Sequence, residues 1–152
     1  MTGEVSLLDK FGIDIGYKTT VAKTITETDI AMFAGVSSDF NPVHMNEEYA
    51  KKTFFGTRIA HGVISMGLLS AAGTQLPGVT ILLSMSAKFL KPTHIGDTIT
   101  AVGEISAVRK DKNIVTMKTK CTNQKGEITL EGETVLKLFE EPELTKYYPR
   151  KQ

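Results

Sequence analysis

A carboxylate and an imidazole stand five positions apart in Asp39-Phe40-Asn41-Pro42-Val43-His44, on a segment stiffened by Pro42. A tight turn there would let both groups meet around one water, where they could act as a general acid–base pair near neutral pH. The same residues also suit a plain turn, because Asp39 and Asn41 can accept backbone hydrogen bonds. Spacing alone favours that structural role. His61-Gly62 is a second candidate. Free N–H groups at a helix start can hold an oxyanion, and glycine lets a ligand come close. A glycine chosen for packing beside a capping histidine explains the pair as well, and the residues by themselves favour it. Ser70 either lines a pocket or bonds a backbone carbonyl. His94, just before Gly96-Asp97, carries little functional weight.

Other chemistries lack their residues. The chain has no Gly-x-Ser-x-Gly elbow, no phosphate-binding glycine loop and no dinucleotide fingerprint. Its three histidines are dispersed without a His-Glu-x-x-His spacing, and the single Cys121 excludes a disulfide framework and a cysteine zinc site. Neither a metal nor a cofactor is expected. Cys121 itself reads as a strand residue.

The elements that must position these groups follow from pattern. Tyr17 to Ile25 is rich in Thr and Val and suits a strand. Thr26 and Asp29 form a capping box that opens a helix with Ile30, Phe33 and Ala34 on one face, ending near Ser37-Ser38. Asn46 caps a short second helix through Ala50, and Phe54 to Thr57 is a loop. A third helix begins near His61-Gly62 and runs through Ala72; being apolar nearly all round, it should be buried. Pro77-Gly78 ends it. From there the period changes to that of strands, over 81–90, 98–108, 114–122 and 128–139, with short links that predict an antiparallel meander. A single sheet wrapped on one helix leaves an open edge, so a homodimer is expected.

Length and charge fit this plan. One domain spans 1–152, with its core at about 17–139 and a charged tail, containing Pro142 and Pro149, at 140–152. The net charge of +1 gives no footprint for nucleic acid or a membrane surface. No apolar run approaches the ~20 residues of a membrane span. The N-terminal residues lack the basic start and apolar run of a signal peptide, so a cytoplasmic protein is expected.

Phe33-Ala-Gly-Val-Ser-Ser-Asp39-Phe-Asn-Pro-Val-His44, followed by Ala50, resembles the signature of the MaoC-like, (R)-specific enoyl-CoA hydratases. Ala60-His61-Gly62-Val63 is similar to that family's second motif, and the likeness continues through Gln75 to Gly78 and Phe89 to Asp97. It covers about Tyr17 to Phe139. The resemblance implies an α+β hot-dog fold, a long central helix wrapped by an antiparallel sheet, usually as a dimer. It implies reversible hydration of trans-2-enoyl-CoA to (R)-3-hydroxyacyl-CoA, with Asp39 and His44 as the acid–base dyad. Gly62 would polarise the thioester carbonyl through its N–H, with Asn41, Ser70 and His61 supporting the site. Many members carry Gly before the Asp, where this chain has Ser38. The acyl tail is expected beside Phe33, Phe40, Tyr49, Phe54 and Phe55, and the CoA phosphates beside Lys88, Lys91, Arg109 or Lys110. CoA is then part of the substrate, and no separate cofactor is implied. The alternatives are a dehydratase of carrier-protein thioesters or of branched or carboxylated hydroxyacyl-CoA, and a non-catalytic acyl-CoA-binding module. The His-x-x-Gly-x-Pro segment of carrier-protein dehydratases and the Asp-bearing helix motif of hot-dog thioesterases are both absent.

Overall fold

The computed structural model describes residues 5–140. Five α-helical segments, α1 (Leu7–Lys10), α2 (Glu27–Ser37), α3 (Pro42–Met45), α4 (Glu47–Ala50) and α5 (Gly62–Gly73), and one 3-10 turn, Lys110–Lys112, accompany five strands. The strands are β1 (Lys18–Thr24), β2 (Val79–Phe89), β3 (Thr98–Arg109), β4 (Ile114–Thr122) and β5 (Ile128–Phe139), joined in one antiparallel sheet of order β1-β3-β4-β5-β2. α5 lies along one face of this sheet, which is the hot-dog arrangement implied by the resemblance.

Strand alternation decides what α5 meets. In β4, Val115, Met117, Thr119 and Cys121 turn inward and are buried, while Lys118 and Lys120 face out. Leu68, Leu69 and Ala72 of α5 pack in one cluster with Ile99 and Ala101 of β3, Cys121 of β4 and Leu130 of β5. A second cluster, around Leu8, Ile13, Leu76, Ile105, Met117, Leu136 and Leu138, fills the other end. Each fully buried Leu or Ile contributes roughly 1.5–3 kcal/mol. Gly132 admits the close passage of β2, since a side chain there would collide with the Ser86 backbone.

Two expectations change. The sheet is a meander only over β3, β4 and β5, because β2 pairs with β5 at the far edge instead of with β3. The link 90–97 contains Pro92 and makes a bridge between Ile59 and His94, so it crosses the end of the sheet and forms no hairpin. Second, α5 is not covered all round. The sheet buries Ser65, Leu68, Leu69, Ala72 and Gly73, but Val63 and Gly67 on the opposite stripe are exposed. The edge strand β2 likewise exposes Ile81, Leu82 and Leu83. Of the expected tail, residues 141–152 lie outside the described residues.

Candidate active site

The loop after α2 is laid down by its own side chains. The capping box is present: the Asp29 N–H donates to Thr26 Oγ1, and the Thr26 N–H to Asp29 Oδ2 at 2.8 Å. α2 ends as Ser38 enters the left-handed region at φ 63°, ψ 16°. Glycine does this without strain, and a side chain does not. From there the Asp39 N–H donates to Ser37 Oγ, the Asn41 N–H to Asp39 Oδ1, and the Val43 N–H to Asn41 Oδ1. Asn41 is therefore the N-cap of α3 with Pro42 in its first turn, so the expected turn is a short helix that presents His44 in its last turn.

His44 is held from two sides. Its Nδ1 lies 2.8 Å from the Ile59 carbonyl, which can only accept, so Nδ1 carries the hydrogen. Nε2 is then left bare in the neutral ring, and it stands 3.9 Å from Asp39 Oδ2. That gap is too long for a direct hydrogen bond and fits one water bonded to both. The His44 carbonyl accepts from Arg58 Nε at 2.7 Å, and Arg58 Nη2 pairs with Glu27 Oε1 at 2.6 Å. Glu47 accepts from the Arg58 N–H and the Thr57 hydroxyl, and these bonds hold its carboxyl below the ordinary range. Arg58, which no motif signalled, thus ties α2, α3 and α4 around the histidine.

His61 sits beneath the dyad, only 2% exposed. Its Nε2 is 2.9 Å from the Asp39 carbonyl, and its ring packs on His44 at 4.0 Å between centroids. Two histidines that look dispersed in sequence therefore converge with Asp39, their ligand-type atoms all within 4.8 Å. The donors suit a two-histidine, one-carboxylate metal site, but the His61 nitrogen nearest the Asp39 carboxylate is engaged by a backbone carbonyl. Gly62 follows as the first residue of α5, and no side chain caps that helix start. The Ile64 N–H bonds the His61 carbonyl at 3.0 Å, whereas the Gly62 and Val63 N–H groups have no partner among the described residues and are free for a ligand.

Gly62 and His44 share a cleft of about 390 Å³ with Phe54, Phe55, Ile59, Ser65, Phe89, Leu90, Lys91 and Leu130 among its walls. The Phe89 ring rests on Gly62, where an added Cβ would stand 2.7 Å from it. Of the expected acyl-slot residues, Phe54 and Phe55 line this cleft. Phe33 instead packs against His61 with ring centroids 4.8 Å apart, while Phe40 and Tyr49 are exposed outside it. Phe89, Leu90 and Leu130, which were not among the expected acyl-slot residues, supply further apolar wall.

The other candidate residues are spread over the fold. Ser70 lies two turns along α5 from Gly62, on the uncovered stripe with Val63 and Gly67, and Ser65 occupies the cleft in its place. Lys88 lines a separate hollow on the sheet face away from α5, because strand alternation turns it outward. Lys91 does border the cleft but pairs with Glu127 at 2.5 Å. Arg109 and Lys110 are held by Asp111 and by Asp9 with Asp14.

Comparison with known proteins identifies the family and the fold. Residues 10–127 match the family model described as MaoC like domain. An (R)-specific enoyl-CoA hydratase of Rhodospirillum rubrum is 47% identical over 123 residues, covering 80% of this chain and 85% of its own. That of Aeromonas caviae is 38% identical over 128 residues, covering 83% and 96%. The solved structure of the (R)-hydratase from A. caviae involved in PHA biosynthesis superposes with a TM-score of 0.79 at 38% identity, covering 84% of this chain and 98% of that one. The chain belongs to the MaoC-like domain family.

Proposed function

We propose that this protein is an (R)-specific enoyl-CoA hydratase, adding water reversibly to trans-2-enoyl-CoA to give (R)-3-hydroxyacyl-CoA. The observation that carries the reading is the 3.9 Å gap between Asp39 Oδ2 and His44 Nε2, beside the free helix start at Gly62. The thioester carbonyl accepts from the Gly62 N–H, which draws charge toward oxygen and leaves C3 electrophilic. One water sits between His44 Nε2 and Asp39 Oδ2. As its oxygen bonds to C3, His44 Nε2 takes one proton, and Asp39 orients the remaining O–H. The enolate then collapses, and the same proton passes from the dyad to C2 on the same face. The dyad ends as it began, the addition is syn, and one water is consumed. No separate cofactor enters this scheme, and no metal is needed to activate the water.

The acyl chain lies along the apolar wall of Phe54, Phe55, Phe89, Leu90 and Leu130. We further propose one catalytic domain acting as a homodimer in the cytoplasm. The dimer reading is supported by the unpaired β2 edge with Ile81, Leu82 and Leu83 exposed, and by the uncovered Val63 stripe of α5. No helix among the described residues is long and apolar enough to cross a membrane.

Adding crotonyl-CoA and following loss of the conjugated enoyl-thioester absorbance tests the reaction. Turnover should yield 3-hydroxybutyryl-CoA of (R) configuration with no free thiol. Release of CoA would identify a thioesterase, and binding without turnover would identify an acyl-CoA-binding module.

A further inference from the structure

Nothing in the hydration scheme above uses the side chain of His61, yet four observations converge on it. It is the residue before Gly62 and the N-cap of α5, but its side chain caps nothing. Its Nε2 reaches back 22 residues to the Asp39 carbonyl at 2.9 Å, and since that carbonyl can only accept, Nε2 carries the hydrogen. Its ring packs on His44 at 4.0 Å and 32°, and on Phe33 at 4.8 Å. Finally, its Nδ1 is buried with no partner among the described residues.

We propose that His61 is a positioning residue for the dyad: it locks the loop bearing Asp39 and the ring of His44 to the helix start that bears Gly62. The inference rests on the hydratase reading, in which the water site must keep a set distance from the oxyanion donor. A plain core role does not account for an imidazole here. Leu or Phe would fill the space without leaving a bare nitrogen in the core, and that bare nitrogen is destabilising. What only the imidazole adds is the Nε2–H, and its partner is the backbone of a dyad residue. A role as proton donor to substrate does not fit either, because that hydrogen is directed at the Asp39 carbonyl and the ring is almost wholly buried. The stack on His44 then restrains the ring whose Nε2 must face the water.

Two substitutions separate these roles. His61→Phe keeps a ring in the stack and removes the donor, whereas His61→Gln places an amide N–H where Nε2 stood. With crotonyl-CoA, His61→Phe should lower kcat about 10- to 100-fold and leave KM nearly unchanged, the effect expected of a misplacement of about 1 Å. His61→Gln should recover most of that loss. Wild-type kcat in His61→Phe, or equal damage in both variants, overturns the proposal. Nitrogen-15 NMR of the imidazoles supplies a readout that needs no turnover. The wild-type protein should show His61 as the Nε2–H tautomer, with the His44 signals broadened or shifted in His61→Phe. A wild-type His61 bearing its hydrogen on Nδ1 overturns the proposal, including in the case that His61→Phe does not fold. Absence of wild-type hydration would instead fail the hydratase reading, and the NMR result would still decide whether His61 positions its neighbours.

Discussion

His44 Nδ1 and the Ile59 carbonyl, fifteen residues apart in sequence, meet at 2.8 Å, and this contact decides which imidazole nitrogen faces Asp39. With the hydrogen committed to Ile59, a neutral His44 presents a lone pair at Nε2. In the hydration we propose, the order of roles follows from it: His44 would accept the water's proton and Asp39 would orient the water. The segment at Ile59, bridged to His94 on the link before β3, is therefore as much a part of the proposed dyad as the loop that carries it.

Ser38 holds a left-handed conformation that glycine adopts freely. Ser38→Gly should raise stability by about 1 kcal/mol, less the extra freedom it gives the unfolded chain. Denaturant unfolding should show a higher midpoint at unchanged slope. A lower midpoint would mean that the serine side chain contributes something the backbone geometry does not reveal.

Gly62 tests the oxyanion donor. An alanine Cβ would stand 2.7 Å from the Phe89 ring, but that ring is half-exposed and free to swing. Gly62→Ala should therefore change stability by less than about 1 kcal/mol, helped by the better helix propensity of alanine. The same methyl intrudes where the carbonyl must approach. kcat/KM on crotonyl-CoA should fall by at least about tenfold, and an unaltered value would remove Gly62 from the mechanism.

Burial pushes the Cys121 thiol up to about 12, and its Sγ lies 3.6 Å from the Ser65 carbonyl. It is accordingly a protonated, inert thiol at pH 8. A disulfide reagent should leave the native protein unmodified and titrate one thiol after unfolding. Rapid modification of the folded protein would show that the core around α5 opens readily.

Asp97 ties the link before β3 to the β4–β5 turn. Burial opposes its ionisation, but hydrogen bonds from the Gln124 amide at 2.7 Å and the His94 N–H at 2.8 Å prevail and hold its carboxyl below the ordinary 3.8. A carboxyl depressed by folding stabilises the protein above its unfolded value, and that contribution is lost as pH falls through the folded value. Asp97→Asn should therefore be less stable than wild type at pH 7, with the gap closing below about pH 4. A gap that stays constant down to pH 2 would assign the effect to geometry instead of charge.

Local pattern carried much of this structure. The capping box at Thr26 and Asp29, the start of α5 at His61-Gly62 and the limits of β4 and β5 are visible because caps and periodicity are properties of neighbouring residues. The pairing of β2 with β5 was not visible, since it depends on where the link 90–97 travels. Asp39 and His44 stand out as a candidate pair on one loop, but spacing alone favours a turn there, and only the family resemblance assigns them a role. The anchors that orient them, Ile59, Arg58 and His61, lie 14 to 22 residues away and reach the dyad only through tertiary folding. The aromatic residues show the same limit: Phe33, Phe40 and Tyr49 share composition with Phe54 and Phe55, but only the backbone path decides which of them face the cleft.

The central claim is that Asp39 and His44 share one water, and the steady-state hydration rate of crotonyl-CoA in Asp39→Asn and His44→Ala tests it most directly. Each variant should lose about 10²–10⁴-fold in kcat while remaining folded, and the double variant should be little worse than the weaker single, because the two groups act as a unit. Wild-type turnover in either single variant would contradict the account.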